Sequence, residues 1–221
     1  MLSSLVKKIQ IIDLGVVEYK SAYQKQMEFH KQVTLGHEPV ILLCEHPTVI
    51  TMGRMSKREH MLLGEDLLKQ KGVAVEYIDR GGDITLHAPG QLVAYPIMDL
   101  NDYKKDLHDY LFKLEEACIR LLESYGLDAK RFSGRTGVWV GAKKIVSIGV
   151  GVKKWVTYHG VGINVSTDLG LFSMIKPCGL DVAMTSISQE KATHVPMDEV
   201  KLKLGMELKR VFKPLKNKER R

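Results

Sequence analysis

Cysteine is scarce in this chain, with three thiols among 221 residues and no Cys-x-x-Cys pair. That spacing excludes a disulfide framework and a cysteine-based zinc site, and it fits a reducing cytoplasm. Long apolar runs are missing as well. No stretch reaches the roughly 18 uninterrupted apolar residues of a membrane span, and Met1-Leu2-Ser3-Ser4-Leu5-Val6-Lys7-Lys8 lacks the apolar core of a secretory signal. Neither G-x-x-x-x-G-K-[ST] nor a helix-opening G-x-G-x-x-G occurs, so a phosphate loop is not expected. An RNP-like aromatic motif, a helix-turn-helix pattern and a sustained basic stripe are all absent, which argues against nucleic acid as a partner. His46, His87 and His159 lack metal-ligand spacing, and no metal is expected.

What the chain does contain is ordinary core material: 44% hydrophobic and 27% charged residues, the balance of a globular protein. Domains of roughly 200 to 250 residues are common among α/β proteins, so residues 1–221 are read as one domain. Lys and Arg number 33 against 26 Asp and Glu, a net charge of +7 that favours acidic partners. The basic residues after Lys213 are read as a solvated end.

Periodicity predicts alternating strands and helices. Ile9 to Leu14 reads as a strand, and Tyr19 to Leu35 as a helix ending at Gly36. Val40 to Cys44 is a continuous apolar run typical of a strand covered on both faces. Thr48 to Met52 reads as a further strand, Glu59 to Gln70 as a short helix, and Val73 to Ile78 as a strand. Arg80 to Pro96 reads as a loop, because Gly81-Gly82 and Pro89-Gly90 punctuate it. Leu107, Leu111, Leu114, Cys118, Leu121, Leu122 and Tyr125 form the longest amphipathic stripe, a helix that must cover a sheet. Strands follow at Val138 to Val140, Lys144 to Val152 and Trp155 to Val165. Gly141 to Lys143 is the first turn between them, and Gly151 to Lys154 contains the next. Asp198 to Phe212 closes the pattern as a helix.

Three places could carry chemistry. Cys44 and Cys118 lie in apolar contexts and read as core residues, whereas Cys178 sits in Lys176-Pro177-Cys178-Gly179, a turn that can present a sulfur at a cleft. A neighbouring cation would lower its pKa and make it a nucleophile; the alternative is an ordinary loop cysteine. Arg80-Gly81-Gly82 permits close backbone approach to a ligand, or is simply a tight turn. Lys144 opens an apolar strand, where an ammonium needs an anion, and its neighbour Lys143 must point to the opposite face.

Taken together, Arg80-Gly81-Gly82-x-x-Thr85-x-His87-x-Pro89-Gly90-Gln91-Leu92, Gly137-Val138-Trp139-Val140, Lys144-Ile145-x-x-Ile148-Gly149, His159-Gly160-x-x-x-Asn164-Val165 and Pro177-Cys178-Gly179-Leu180 with Thr185-Ser186 resemble the lipoyl(octanoyl) transferase family. The motifs occur in family order. The resemblance implies an α/β fold, a mixed β-sheet flanked by helices like the biotin and lipoate protein ligase catalytic domains. It also implies transfer of an octanoyl group from octanoyl-acyl carrier protein to a lysine of lipoyl domains. Acceptors would be 2-oxoacid dehydrogenase E2 subunits and the glycine cleavage H protein. Where family members commonly read Thr-Tyr-His-Gly-Pro, this chain has Thr85-Leu86-His87-Ala88-Pro89; where they often read His-Gly-Phe-Ala-Leu-Asn, it has His159-Gly160-Val161-Gly162-Ile163-Asn164. Both departures touch the acyl pocket.

Residue by residue, the resemblance makes Cys178 the nucleophile that carries the acyl group as a thioester, and Lys144 the cation that stabilises its thiolate. Acyl binding falls on Arg80, Gly81, Gly82, Asp83, Ile84, Thr85, Leu86 and His87, on Ser147, Ile148 and Gly149, and on Gly160, Val161 and Gly162. His159 and Asn164 support the site, and His87 and His159 can equally be satisfied pocket histidines. A thioester donor brings its own activation, so no cofactor is implied, and a cytoplasmic location without membrane attachment follows. Two other readings remain: an ATP-dependent lipoate or biotin protein ligase, although the Gly-Arg-Gly-Arg-x-Gly pattern of biotin ligases is absent, and a non-catalytic module that binds lipoyl domains.

Overall fold

The structure, a computed structural model, describes residues 7–176 and 182–213. Among the described residues ten strands build two sheets: β1 (Gln10–Val16), β2 (Val40–Glu45), β3 (Val49–Met52), β4 (Ala74–Tyr77), β5 (Ile84–His87), β6 (Gln91–Ile97), β7 (Ala129–Phe132), β8 (Arg135–Val140), β9 (Lys143–Lys153) and β10 (Val156–Asn164). The larger sheet has the order β1-β2-β6-β10-β9-β8-β7 and the smaller β4-β3-β5. β1 runs parallel to β2 and β3 parallel to β4, while the other pairings are antiparallel. The helices are α1 (Tyr19–Thr34), α2 (Glu65–Gln70), α3 (Leu107–Glu123), α4 (Ile187–Lys191) and α5 (Met197–Val211). This is the mixed sheet with flanking helices that the sequence predicts.

Strand alternation explains how the large sheet is covered. In β2, Ile41 and Leu43 face one way and join Leu114, Cys118, Leu121 and Leu122 of α3 and Leu204 and Leu208 of α5 in one core. Leu42 and Cys44 face the other way, against Ala22 and Val33 of α1. All but the last residue of β2 are buried, as its continuous apolar run requires. α3 begins where the Asp106 carboxylate accepts hydrogen bonds from the backbone of His108 and Asp109, the usual satisfaction of unpaired donors in a first turn. The small sheet builds its own core from Ile50, Met52, Ile84 and Leu86, closed by Leu68 of α2 and by Phe172 and Met174 of a 3-10 turn.

Several predicted boundaries are corrected. Glu59 to Gln70 is not one helix but a 3-10 turn at Arg58–His60 and the separate α2. Met61 between them bridges to Ile175, and Gly64 takes extended backbone at the α2 N-terminus. Arg80 to Pro96 is not a loop throughout, because β5 and β6 occupy most of it. The turn at Pro89-Gly90 is the joint between them, with Gly90 at φ +81°, a conformation glycine adopts without strain. β9 runs on to Lys153, and the turn into β10 is Lys154-Trp155, both with positive φ. β7 and α4 carry too few apolar residues to announce themselves.

Candidate active site

A cleft runs between the two sheets, walled on one side by Gly82, Asp83, Ile84, Thr85 and His87 and on the other by Ser147, Ile148 and Gly149 of β9 and Gly160, Val161 and Gly162 of β10. Tyr19, Arg80, Val93, Tyr95, Lys144 and His159 complete the lining, and the empty space, open mouth included, is about 530 Å³. Three segments far apart in sequence thus line one cleft. Not every residue in them reaches the lumen. In β5 the side chains alternate, so Thr85 and His87 line the cleft while Leu86 packs in the core of the small sheet. Gly81 instead lines a second, adjoining chamber, and Asn164 lies behind the wall, fully buried.

Glycines let the walls come this close. A Cβ on Gly53, at the end of β3, would lie 2.5 Å from the Gly82 carbonyl oxygen and 2.7 Å from Arg80 Nη1. On Gly149 it would lie 2.8 Å from Arg80 Cδ, and on Gly160 it would collide with the Ala94 carbonyl of β6. Arg80 is clamped between these surfaces. Its Nη2 donates to the Thr51 carbonyl at 2.7 Å and to Thr51 Oγ1 at 3.0 Å, and its Nη1 donates to the Gly81 carbonyl at 3.1 Å. The Gly81 N–H in turn donates to Val150 O at 2.8 Å, so this amide is committed to the scaffold.

Lys144 and Lys143 divide as strand geometry demands. Lys143 is outside, with Nζ 3.1 Å from Glu190 Oε1. Lys144 is 4% exposed and its Nζ lies 5.2 Å from the centre of the Trp139 ring. The aliphatic stem rests on Gly137: a Cβ there would be 2.8 Å from Lys144 Cε and 2.5 Å from the Val146 carbonyl. The Lys144 backbone also receives the returning chain. Its N–H donates to Ala183 O at 2.8 Å, and the Thr185 N–H donates to Lys144 O at 2.9 Å. Thr185 Oγ1 donates to Glu190 Oε1, the oxygen that also accepts from Lys143. Cys178 lies outside the described residues; on its two sides, the Lys176 N–H donates to His60 O and Val182 lines the second chamber.

That second chamber shares Gly82, Asp83, Lys144, Ile148 and Gly149 with the cleft and adds Met55, Leu107, Leu111, Trp139 and Val150. Lys144 therefore stands in the wall common to both spaces. The chamber is mostly apolar, and Met55 at its rim is 67% exposed.

Tyr19, Tyr95 and His159 of the lining also belong to polar networks whose connections the sequence does not announce. His159, at φ +55°, sits 3.0 Å from Asp79 Oδ1, and a carboxylate only accepts, so Nε2 carries the proton. Nδ1 then accepts from Tyr19 OH at 3.3 Å. Asp79 also accepts from Tyr158 OH at 2.6 Å. His46 donates from Nδ1 to Val17 O at 2.6 Å and accepts from Tyr95 OH at 2.7 Å. Burial lowers the pKa of all three cleft-side histidines: His46 in direction, His159 to about 4 and His87 to about 3. All three rings are neutral near pH 7. Burial pushes the thiols of Cys44 and Cys118 upward, as expected of core cysteines. Among the described residues no group of three or more His, Cys, Asp or Glu side chains could hold a metal ion, and no helix is long and apolar enough to cross a membrane.

Residues 18–209 match the family described as lipoyl protein ligase A/B catalytic domain. An octanoyltransferase of Bacteroides thetaiotaomicron is 44% identical over 217 residues, covering 93% of this chain and 96% of the relative. An octanoyltransferase of Maridesulfovibrio salexigens is 43% identical, covering 92% and 96%. Among solved structures, lipoate-protein ligase A bound with ATP superposes with a TM-score of 0.72 at 16% identity, covering 94% of this chain and 85% of that one. A bipartite lipoate protein ligase from Thermoplasma acidophilum gives 0.72 at 17% identity, covering 93% and 84%. Those two likenesses show the shared fold, and the sequence relatives show more: the chain belongs to the lipoyl protein ligase A/B catalytic-domain family, among its octanoyltransferases.

Proposed function

We propose that this protein moves an octanoyl group from octanoyl-acyl carrier protein to a lysine of lipoyl domains, with Cys178 carrying the acyl group between the two. The observation that carries the reading is Lys144: a buried lysine in the wall shared by two spaces, paired through its backbone with Ala183 and Thr185. The chain returning from Cys178 is thereby tied to the strand that bears the ammonium. One space would receive the acyl chain, and the other, apolar and open, would admit the donor arm and later the acceptor lysine.

In that scheme the resting pair is a Cys178 thiolate and a Lys144 ammonium, since a nearby cation favours the charged thiol. The thiolate attacks the donor carbonyl, the C–S bond to the carrier breaks, and the departing thiolate takes a proton from Lys144. An uncharged acceptor amine then attacks the enzyme thioester. Its extra proton passes to the now neutral Lys144, the C–S bond to Cys178 breaks, and the ion pair is restored. Each step needs only groups the site and substrates supply, so the covalent intermediate divides one difficult encounter into two. Backbone N–H groups at the glycine-rich turns would stabilise the tetrahedral oxyanion, and Gly81 is not among them.

Recipients would be the lipoyl domains of 2-oxoacid dehydrogenase E2 subunits and the glycine cleavage H protein. The net charge of +7 suits acidic protein partners on both sides of the reaction. Purified protein mixed with octanoyl-acyl carrier protein and a lipoyl domain, without ATP, should add one octanoyl mass to the domain. A requirement for ATP and free octanoate would instead assign ligase chemistry, and no modification under either condition would leave a binding module.

A further inference from the structure

His87 differs from its neighbours in one respect. His46 and His159 have both ring nitrogens engaged by protein groups. For His87 the described residues supply one hydrogen bond, from Nδ1 to Gln91 Oε1 at 2.7 Å, and its ring forms part of the cleft lining.

The direction of that bond can be derived. Asn164 Nδ2 points at the Thr185 carbonyl, 3.0 Å away, and a carbonyl only accepts. Asn164 Oδ1 is therefore turned toward Gln91 Nε2, 2.9 Å away. Gln91 Nε2 also lies 3.2 Å from the Leu86 carbonyl, which fixes the Gln91 amide independently. Gln91 Oε1 is left facing His87 Nδ1, and an amide oxygen cannot donate. The proton must sit on Nδ1, and a neutral imidazole has only one.

We infer that Gln91, held by Asn164 and the Leu86 carbonyl, fixes the tautomer of His87, so that His87 presents an unprotonated Nε2 to the cleft as the acceptor for an N–H donor. Resting on the function proposed above, the donor is the acceptor protein's lysine amine: of the reacting groups, it alone must arrive uncharged with N–H bonds to orient. His87 then holds the nucleophile by a hydrogen bond, while its proton goes to Lys144. Gln91 acts through His87 and is a positioning residue. The ring stays neutral because burial, with the Arg80 guanidinium nearby, disfavours a second proton and outweighs the opposing hydrogen bond to Gln91, and Tyr19, stacked with its centroid 6.2 Å away, is an uncharged neighbour.

Two measurements test this. Nitrogen-15 NMR of the resting protein at pH 7 should give His87 a protonated Nδ1 and a bare Nε2; an Nε2–H tautomer would overturn the proposal whatever reaction the protein catalyses. Kinetically, Gln91→Glu sets a carboxylate against Nδ1 and favours the imidazolium, while His87→Phe keeps a ring without the acceptor. Both should slow aminolysis of the octanoyl-enzyme by about tenfold more than they slow acylation by the donor, the worth of one hydrogen bond. The Gln91→Glu loss should shrink as pH rises above the new His87 pKa, whereas the His87→Phe loss should not. If Gln91→Glu does not fold, His87→Phe and the NMR result decide. Equal slowing of acylation and aminolysis, or no slowing of aminolysis, would contradict the role. Absence of octanoyl transfer by the parent protein would instead defeat the proposed function and leave the tautomer result standing.

Discussion

Replacing Gly137 by alanine probes the ammonium without touching it. Gly137 has φ +129°, and holding a residue with a Cβ there costs roughly 1–3 kcal/mol. The added Cβ would also lie 2.5 Å from Val146 O, 2.8 Å from Lys144 Cε and 3.3 Å from Nζ. The carbonyl belongs to the β9 ladder and yields little, which adds to the cost in stability, whereas the lysine stem can move, so its own contact should be relieved by displacing Lys144. Gly141→Ala is the control: its φ is +55° and a Cβ there meets nothing within 4 Å, so it carries backbone strain alone. With about 2–4 °C per kcal/mol for a chain of this size, Gly141→Ala should lower the melting temperature by a few degrees with transfer intact. Gly137→Ala should lower it further and reduce octanoyl transfer at least about tenfold, equivalent to 1.4 kcal/mol. Calorimetry and a gel-shift transfer assay read the two effects separately. Equal melting shifts with equal activities in both variants would refute the packing of Lys144 on Gly137.

Lys144→Ala should raise by about one to three units the pH at which a thiol reagent alkylates Cys178, the usual effect of losing an adjacent cation, while Lys143→Ala should leave the curve in place; superimposable curves for Lys144→Ala and parent would remove Lys144 from this role. Stability should fall as pH drops from about 6.5, because His87 and His159 stay neutral in the fold down to about 3 and about 4 but take up protons once unfolded. Each ring contributes a slope of at most about 1.4 kcal/mol per pH unit in that window, and a urea midpoint unchanged between pH 7 and pH 4.5 would contradict it. Raising ionic strength should raise the KM for the carrier protein by screening the +7 charge; a flat KM would dismiss electrostatic capture.

Features with a local cause were readable in the sequence. The apolar run of β2, the stripe of α3 and the opposed faces of Lys143 and Lys144 follow from periodicity alone. β5 and β6 were obscured because the Gly81-Gly82 and Pro89-Gly90 pairs beside them suggested a loop, although Ile84 and Leu86 do alternate with Thr85 and His87. Among site residues, those carried by motifs converge on the cleft, but a motif does not say which side chains turn inward, and Leu86 turns away. Gly137 entered only as part of a motif and Gly53 not at all, because the packing each permits depends on side chains and carbonyls from elsewhere in the chain. Gln91 is a similar case: its importance lies in bonds to His87, Leu86 and Asn164, which only the assembled sheet brings together.

The central claim is that Cys178 carries the acyl group. Protein mixed with octanoyl-acyl carrier protein in the absence of any acceptor, quenched in acid and digested, should yield the peptide containing Cys178 heavier by one octanoyl group. The addition should be removed by hydroxylamine and absent from Cys178→Ala. Transfer to a lipoyl domain that proceeds at the parent rate in Cys178→Ala, or an octanoyl group found on another residue, would contradict the account.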